Sequence, residues 1–305
     1  MIELSKTQGF AAAYLLPPVD YTGWTRRRDE GAFHRGTAGL AGDMRAAYPW
    51  AKAVLLLVWA YAPPDKASRR AQGTHILQSL PYYIASNKAY HAARALEAAL
   101  QAAGIRAEKA NIPLRTVAAA SGIGRVLRNA LLTIPPYGSR IVLQGLMVDA
   151  EPQTSDRQAQ AGGDREAEGR FSCPSPKEPK ADESQIFSSA CTACGACVRA
   201  CPAGAIDEDG YHVEACLRAH TGGADIPAWA AKILPGLLGC ERCQEVCPVN
   251  ARLATRALSA AEQEAFSLQK LLAGDSAAAL ELVGKNQKKR LLSQAIILAG
   301  DANLK

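Results

Sequence analysis

The chain has 305 residues, 48% of them hydrophobic and 6% aromatic, with 35 basic against 29 acidic side chains for a net charge of +6. That length holds about two domains on the usual domain size and can bury a real core. So mild a charge excess does not mark a nucleic-acid binder, and the longest apolar run, at 53–62, is too short to span a bilayer.

In chain order, the first ten residues lack the basic start and apolar core of a secretion signal, so the expected location is the cytoplasm. The run Arg26-Arg27-Arg28, like Lys288-Lys289-Arg290 near the other end, has no aromatics interleaved and reads as a solvated face. Residues 53–60, AVLLLVWA, have the continuous apolar character of a strand buried on both faces, stopped by Pro63-Pro64. A helix follows at 89–103, where Leu96 and Leu100 recur at helical spacing and Gly104 supplies the stop. After Pro113 and the small turn Gly122-Ile123-Gly124, a second strand is expected at 140–148, entered through Pro135-Pro136-Tyr137-Gly138. Strands alternating with helices over 1–150 argue for an α/β layer domain. Residues 151–185 are rich in proline and charge and poor in apolar side chains, and read as a mobile linker or insertion. A ferredoxin-like segment is expected at 186–250. A helical tail follows at 251–305, broken at Gly274-Asp275, Gly284 and Gly300-Asp301. The expected class is α+β.

Eight of the nine cysteines carry the chemistry. The first motif is Cys191-x2-Cys194-x2-Cys197-x3-Cys201-Pro202; the second is Cys216, then Cys240-x2-Cys243-x3-Cys247-Pro248. Three cysteines two apart wrap three corners of a cubane, and the fourth, before proline, ligates the other cluster in two-cluster ferredoxins. That rule assigns Cys191, Cys194, Cys197 and Cys247 to one [4Fe–4S] cluster, and Cys201, Cys216, Cys240 and Cys243 to the other. Zinc ribbons use paired CxxC without the triple and the prolines, and disulfides belong to secreted chains. Cys173 has no partner spacing and reads as a free thiol in a loop.

Residues 239–250, GCERCQEVCPVN, resemble the second cluster motif of the epoxyqueuosine reductase family, cobalamin-dependent iron–sulfur enzymes of tRNA queuosine synthesis. The likeness reaches back through Ile226-Pro227 and Cys216 to the first motif. Upstream it includes Tyr48-Pro49, Ala51-Lys52-Ala53-Val54, Ala60-Tyr61, Tyr90-His91, Ile112-Pro113-Leu114-Arg115, Ser121-Gly122-Ile123-Gly124, Arg128-Asn129 and Tyr137-Gly138-Ser139. It covers about 1–150 and 186–250. The cysteine spacing and CQEVCPVN are the specific part; the upstream matches carry weight only in their order.

The resemblance implies a corrinoid-binding N-terminal domain fed electrons one at a time by two [4Fe–4S] clusters, and kinship with reductive dehalogenases. It implies a low-potential donor of ferredoxin or flavodoxin type, and a small-molecule or nucleoside-like substrate. Arg128, Asn129 and Ser139 match family positions near the cofactor. The family's aspartate proton donor falls at Glu108, in a local sequence, Ala107-Glu108-Lys109-Ala110, that departs from the family's. Tyr90 is the other candidate acid, by analogy with the tyrosine of the dehalogenases, with Tyr82, Tyr83 and His91 nearby in sequence. A neutral phenol already carries its proton, which favours Tyr90 over a carboxylate that needs a large upward shift. That departure, and a segment after the clusters shorter than the family's helical repeats, count against tRNA as the substrate. The second expectation is a non-catalytic electron-transfer partner with two clusters and no corrinoid.

Overall fold

The computed structural model describes residues 1–20, 40–71, 75–152, 191–223 and 225–302. The expected linker lies, from residue 153 on, outside the described residues, as do Arg26-Arg27-Arg28 and Cys173. The fold mixes α and β, and the chain divides into two compact units.

The first unit takes its described residues from Met1–Ala60, Ala89–Val126 and Val142–Ala190. After helix α1 (Ile2–Thr7), strands β1 (Ala12–Leu16) and β2 (Ala53–Ala60) pair antiparallel in the register Ala12↔Val58 to Leu16↔Val54. The continuous apolar run of β2 is explained by its place: Ala53 to Val58 are all fully buried. The sheet continues through β4 (Ile141–Val148) to a three-residue edge strand β3 (Ala107–Lys109), in the order β1-β2-β4-β3. β3 pairs antiparallel with β4, Ala107 opposite Val148 and Lys109 opposite Leu146. The two long apolar strands β2 and β4 thus sit inside the sheet, and the polar Ala-Glu-Lys strand forms one of its edges. Helix α3 (Leu114–Ala120) follows Pro113, where a missing N–H costs nothing.

Helix α2 (Leu80–Ala102) starts nine residues before the expected 89. Pro81 stands in its first turn, where proline is tolerated, so it opens the helix instead of blocking it. The helix from Ala89 on belongs to the first unit, where Ala89, Ala93, Leu96 and Leu100 form its buried stripe.

The second unit gathers Tyr61–Lys88, Leu127–Ile141 and the described residues from Cys191 onward. The compact units therefore divide the chain differently from the expected boundary at 150, since two stretches before it join the cluster segment. The first of them does so through an apolar core: Leu77, Leu80, Tyr83 and Ile84 pack with Leu237, Leu238, Phe266, Leu271, Val283 and Leu291. The last six come partly from the expected tail, whose four helices are α8 (Ala260–Ala265), α9 (Leu268–Leu272), α10 (Ala277–Val283) and α11 (Lys288–Ala302). Residues 251–305 are thus core-forming helices of this unit and not an appendage. Breaks fall near Gly274 and at Gly284 as expected, but α11 runs through Gly300. One glycine costs a helix only about 1 kcal/mol, which its buried face offsets.

Candidate metal centre

All eight motif cysteines lie in the second unit and are free thiols. Cys197 sits on the short helix α4 (Ala196–Ala200), Cys216 caps α5 (Leu217–His220), and, after α6 (Ala228–Lys232), Cys243 lies on α7 (Arg242–Glu245). Around Cys194 the backbone turns through two left-handed residues, Ala193 at φ 51° and Gly195 at φ 68°. Glycine takes that conformation freely, while alanine bears strain of about 1–2 kcal/mol.

The thiols fall into neighbour sets by the charges each feels. Burial, then Cys197, Cys194 and Cys191, push the Cys247 thiol above its usual range. Burial, then Cys216 and Cys201, raise Cys240. Burial pushes Cys243 up to about 12, with Cys240, Cys216 and Cys201 adding to it and Cys197 last. The structure thus brings together Cys191, Cys194, Cys197 and Cys247 on one side, and Cys201, Cys216, Cys240 and Cys243 on the other. Cys197 and Cys243 mark the approach of the two sets. Cys240, Cys243 and Cys247, raised in this way, favour the protonated thiol by themselves; a cationic group is needed to hold them as thiolates.

Amides aim at the sulfurs. Ala205 N–H donates to Cys201 Sγ at 3.2 Å. The Ala196 amide on Cys194 pulls that exposed thiol below its usual range. Val198, Arg242 and Val249 amides serve Cys197, Cys240 and Cys247 in the same way. Such N–H···S bonds stabilise thiolate ligands and help set cluster potentials. Among the described residues no cysteine group closes on one point as the ligands of a single ion would. A cubane instead takes its thiolates at four separate corners, so the residues present fit [4Fe–4S] clusters.

Around the second motif lies a polar network that sequence spacing does not reveal. Arg140 and Glu241, 3% and 1% exposed, form a buried ion pair, and Arg140 also donates to Gln244 Oε1 at 3.0 Å. Gln244 returns a bond to the Ser139 carbonyl. Asn250 Oδ1 accepts from Ser139 N–H at 2.9 Å, and its Nδ2 donates to Ser139 Oγ at 2.9 Å and Gln244 O at 2.8 Å. Tyr61 Oη reaches Gln244 at 3.3 Å; burial and then the Glu241 charge push its phenol far above the usual range, so it stays neutral.

Asn129 and Ser139 are buried in the second unit. Asn129 Nδ2 donates to Cys243 O at 3.4 Å and its Oδ1 accepts from Leu131 N–H, while Ser139 is bound to Asn250 and Gln244. These hydrogen bonds fit a role in holding the cluster loop. Arg128, beside Asn129, is half-buried. Of the candidate acids, Tyr90 is 43% exposed on α2, edge-on to His91 and with Lys109 Nζ 5.4 Å above its ring. Glu108 lies on the edge strand β3, half-buried and paired with Arg106 at 2.8 Å. Tyr82 and Tyr83 pack edge-to-face in the second unit beneath Arg218.

Residues 190–250 match the 4Fe-4S double cluster binding domain, which provides for two [4Fe–4S] clusters. The chain is also similar to epoxyqueuosine reductase of Bacillus subtilis strain 168, 28% identical over 139 residues, which are 45% of this chain and 28% of that relative. The aligned part is therefore under a third of that relative's length. In fold it is similar to Bacillus subtilis epoxyqueuosine reductase (TM-score 0.65, 21% identity, 97% of this chain and 79% of that one). The Streptococcus thermophilus enzyme compares closely (0.64, 18%, 98% and 80%), as does an epoxyqueuosine reductase solved with a modified tRNA-Tyr stem loop (0.66, 20%, 97% and 79%). The chain is thus an iron–sulfur protein with an epoxyqueuosine reductase-like fold. Among the described residues no helix is long and apolar enough to cross a membrane.

Proposed function

We propose that the chain is an iron–sulfur reductase of the epoxyqueuosine reductase kind. Cys191, Cys194, Cys197 and Cys247 would hold one [4Fe–4S] cluster and Cys201, Cys216, Cys240 and Cys243 the other, and the clusters would supply electrons one at a time to a corrinoid. The observation that carries the reading is the pair of thiol neighbour sets, with amides on the sulfurs. Bound clusters supply one-electron transfer at low potential; the chain's part is to position the sulfurs and stabilise their charge. The corrinoid is supported by likeness alone, and no residue is assigned to hold it.

The donor is a low-potential protein of ferredoxin or flavodoxin type, and the setting is the cytoplasm. The substrate is small or nucleoside-like. A tRNA-borne nucleoside belongs among these, because a neighbour solved with a tRNA stem loop shares this fold. Tyr90 and Glu108 are the proposed acids. Electron transfer without a corrinoid is the second reading, favoured by one observation: Glu108 is only half-buried and is paired with Arg106. Anaerobic titration with cobalamin separates the two. Binding at micromolar concentration is expected, and its absence gives the electron-transfer reading its place.

A further inference from the structure

Two glutamates stand inside the second motif, Glu241 next to Cys240 and Glu245 two residues before Cys247, and each is bridged by two arginines. Glu241 pairs with Arg140 and lies 3.7 Å from Arg218. Among the described residues its Oε1 has no hydrogen-bond donor in reach, so Arg218 compensates it through charge alone. Glu245 pairs with Arg69 at 2.6 Å and Arg242 at 3.8 Å, and accepts from Gln78 at 2.7 Å. Arg218 itself lies 4.6 Å above the Tyr82 ring and 5.7 Å from that of Tyr83, and stands two residues after Cys216. Arginine cannot lose its proton in a protein, so four fixed positive charges face two negative ones. Two units of positive charge are left over.

We propose that Arg69, Arg140, Arg218 and Arg242, against Glu241 and Glu245, form a collar that raises the reduction potential of the cluster held by Cys201, Cys216, Cys240 and Cys243. These are positioning residues. Reducing a cluster adds one electron, and one negative charge, to the cluster and its four thiolates. Fixed positive charge nearby favours that state, and more so where water is excluded. The inference rests on the iron–sulfur reading above.

The test is an anaerobic redox titration of the iron-loaded full chain with dithionite, followed by electron paramagnetic resonance. The variants are Glu241→Gln, Glu245→Gln, Arg218→Met and Arg218→Lys. Glu241→Gln is expected to shift one of the two reduction steps upward and Arg218→Met to shift the same step downward. Arg218→Lys keeps the charge and leaves the step near its parent value. Glu245→Gln shifts it upward by less than Glu241→Gln, because Glu245 is 27% exposed and Glu241 only 1%. With iron content unchanged, shifts of the same sign, or no shift in either charge-changing variant, overturn the proposal. Equal loss of iron in Glu241→Gln and Arg218→Lys overturns it too, since the collar then serves assembly. Failure of the parent chain to take up iron strikes instead at the iron–sulfur reading itself.

Discussion

Asn250 ties the second motif to the turn before β4, and its removal has a calculable cost. It is 8% exposed and makes three hydrogen bonds, two of them to backbone groups of Ser139 and Gln244, which are 5% and 4% exposed. Asn250→Ala removes all three and strands the Ser139 N–H and the Gln244 carbonyl away from water. At about 1 kcal/mol net for each bond the loss is about 3 kcal/mol, and stranded backbone groups keep it from falling much lower. That is roughly a hundredfold in the equilibrium for opening the loop, at about 1.4 kcal/mol per factor of ten. Ser139→Ala removes one acceptor and spares both backbone contacts, for about 1 kcal/mol or roughly fivefold. Unfolding of a metal-loaded chain is not a two-state equilibrium. The assay is therefore the rate of iron release to a chelator in low urea, followed by loss of visible absorption. Asn250→Ala is expected to release iron far faster than Ser139→Ala. Equal rates for the two variants would refute the reasoning, because the backbone bonds would then carry nothing.

Fully reconstituted protein is expected to hold about eight irons per chain, since the cysteines supply two sets of four ligands; a plateau near half of that removes one cluster. Cys247→Ser should disturb the cluster of Cys191, Cys194 and Cys197, and Cys201→Ser the other, as read by spectroscopy of each singly altered chain. Damage confined to sequence neighbours contradicts the crossed pairing. Gly138→Ala should release iron at least as fast as Asn250→Ala. Gly138 has φ 57°, which costs alanine about 1–2 kcal/mol, and the added methyl would collide with Asn250 Oδ1. Glu262 caps α8: burial alone would raise its carboxyl, but bonds from Arg256 at 2.8 and 2.9 Å and from Ser259 N–H win and hold it below its usual range. A lowered folded value gives stability that is present above the ordinary glutamate range and lost as pH falls through the folded value. The melting-temperature gap between parent and Glu262→Gln should therefore narrow from neutral pH towards about pH 4; a constant gap counts against the pairing.

Local chemistry was the legible part of this chain. AVLLLVWA announced β2 because a strand covered on both faces has no reason to alternate, and the second expected strand, 140–148, was found one residue shorter as β4. The cysteine motifs could be read because a cubane's corners are served by residues two or three apart. What failed to show was anything whose partners are distant in sequence. The helices after residue 251 look like a tail when read locally, since nothing in their own pattern names Leu77, Leu80 or Tyr83 as the surface they cover. The partners of Asn129 and Ser139 were hidden for the same reason: a short polar residue at a turn carries no mark of which buried carbonyl or amide it satisfies.

The collar is the extreme case. Arg140 and Glu241 are 101 residues apart, and Arg69 and Glu245 are 176 apart. Read alone, each is an ordinary surface charge, and CERCQEVC is a ligand motif with charged fillers. A buried ion pair costs desolvation that attraction alone barely offsets, so stability by itself gives little reason to place Glu241 beneath Arg140. Water-filled surroundings would screen the same charges to little effect. Burial makes them costly to fold and gives them a long electrostatic reach, and both follow from one low-dielectric setting. A cluster loop that must hold an extra electron has use for that reach, which is why the charged fillers between the cysteines belong to the site as much as the cysteines do.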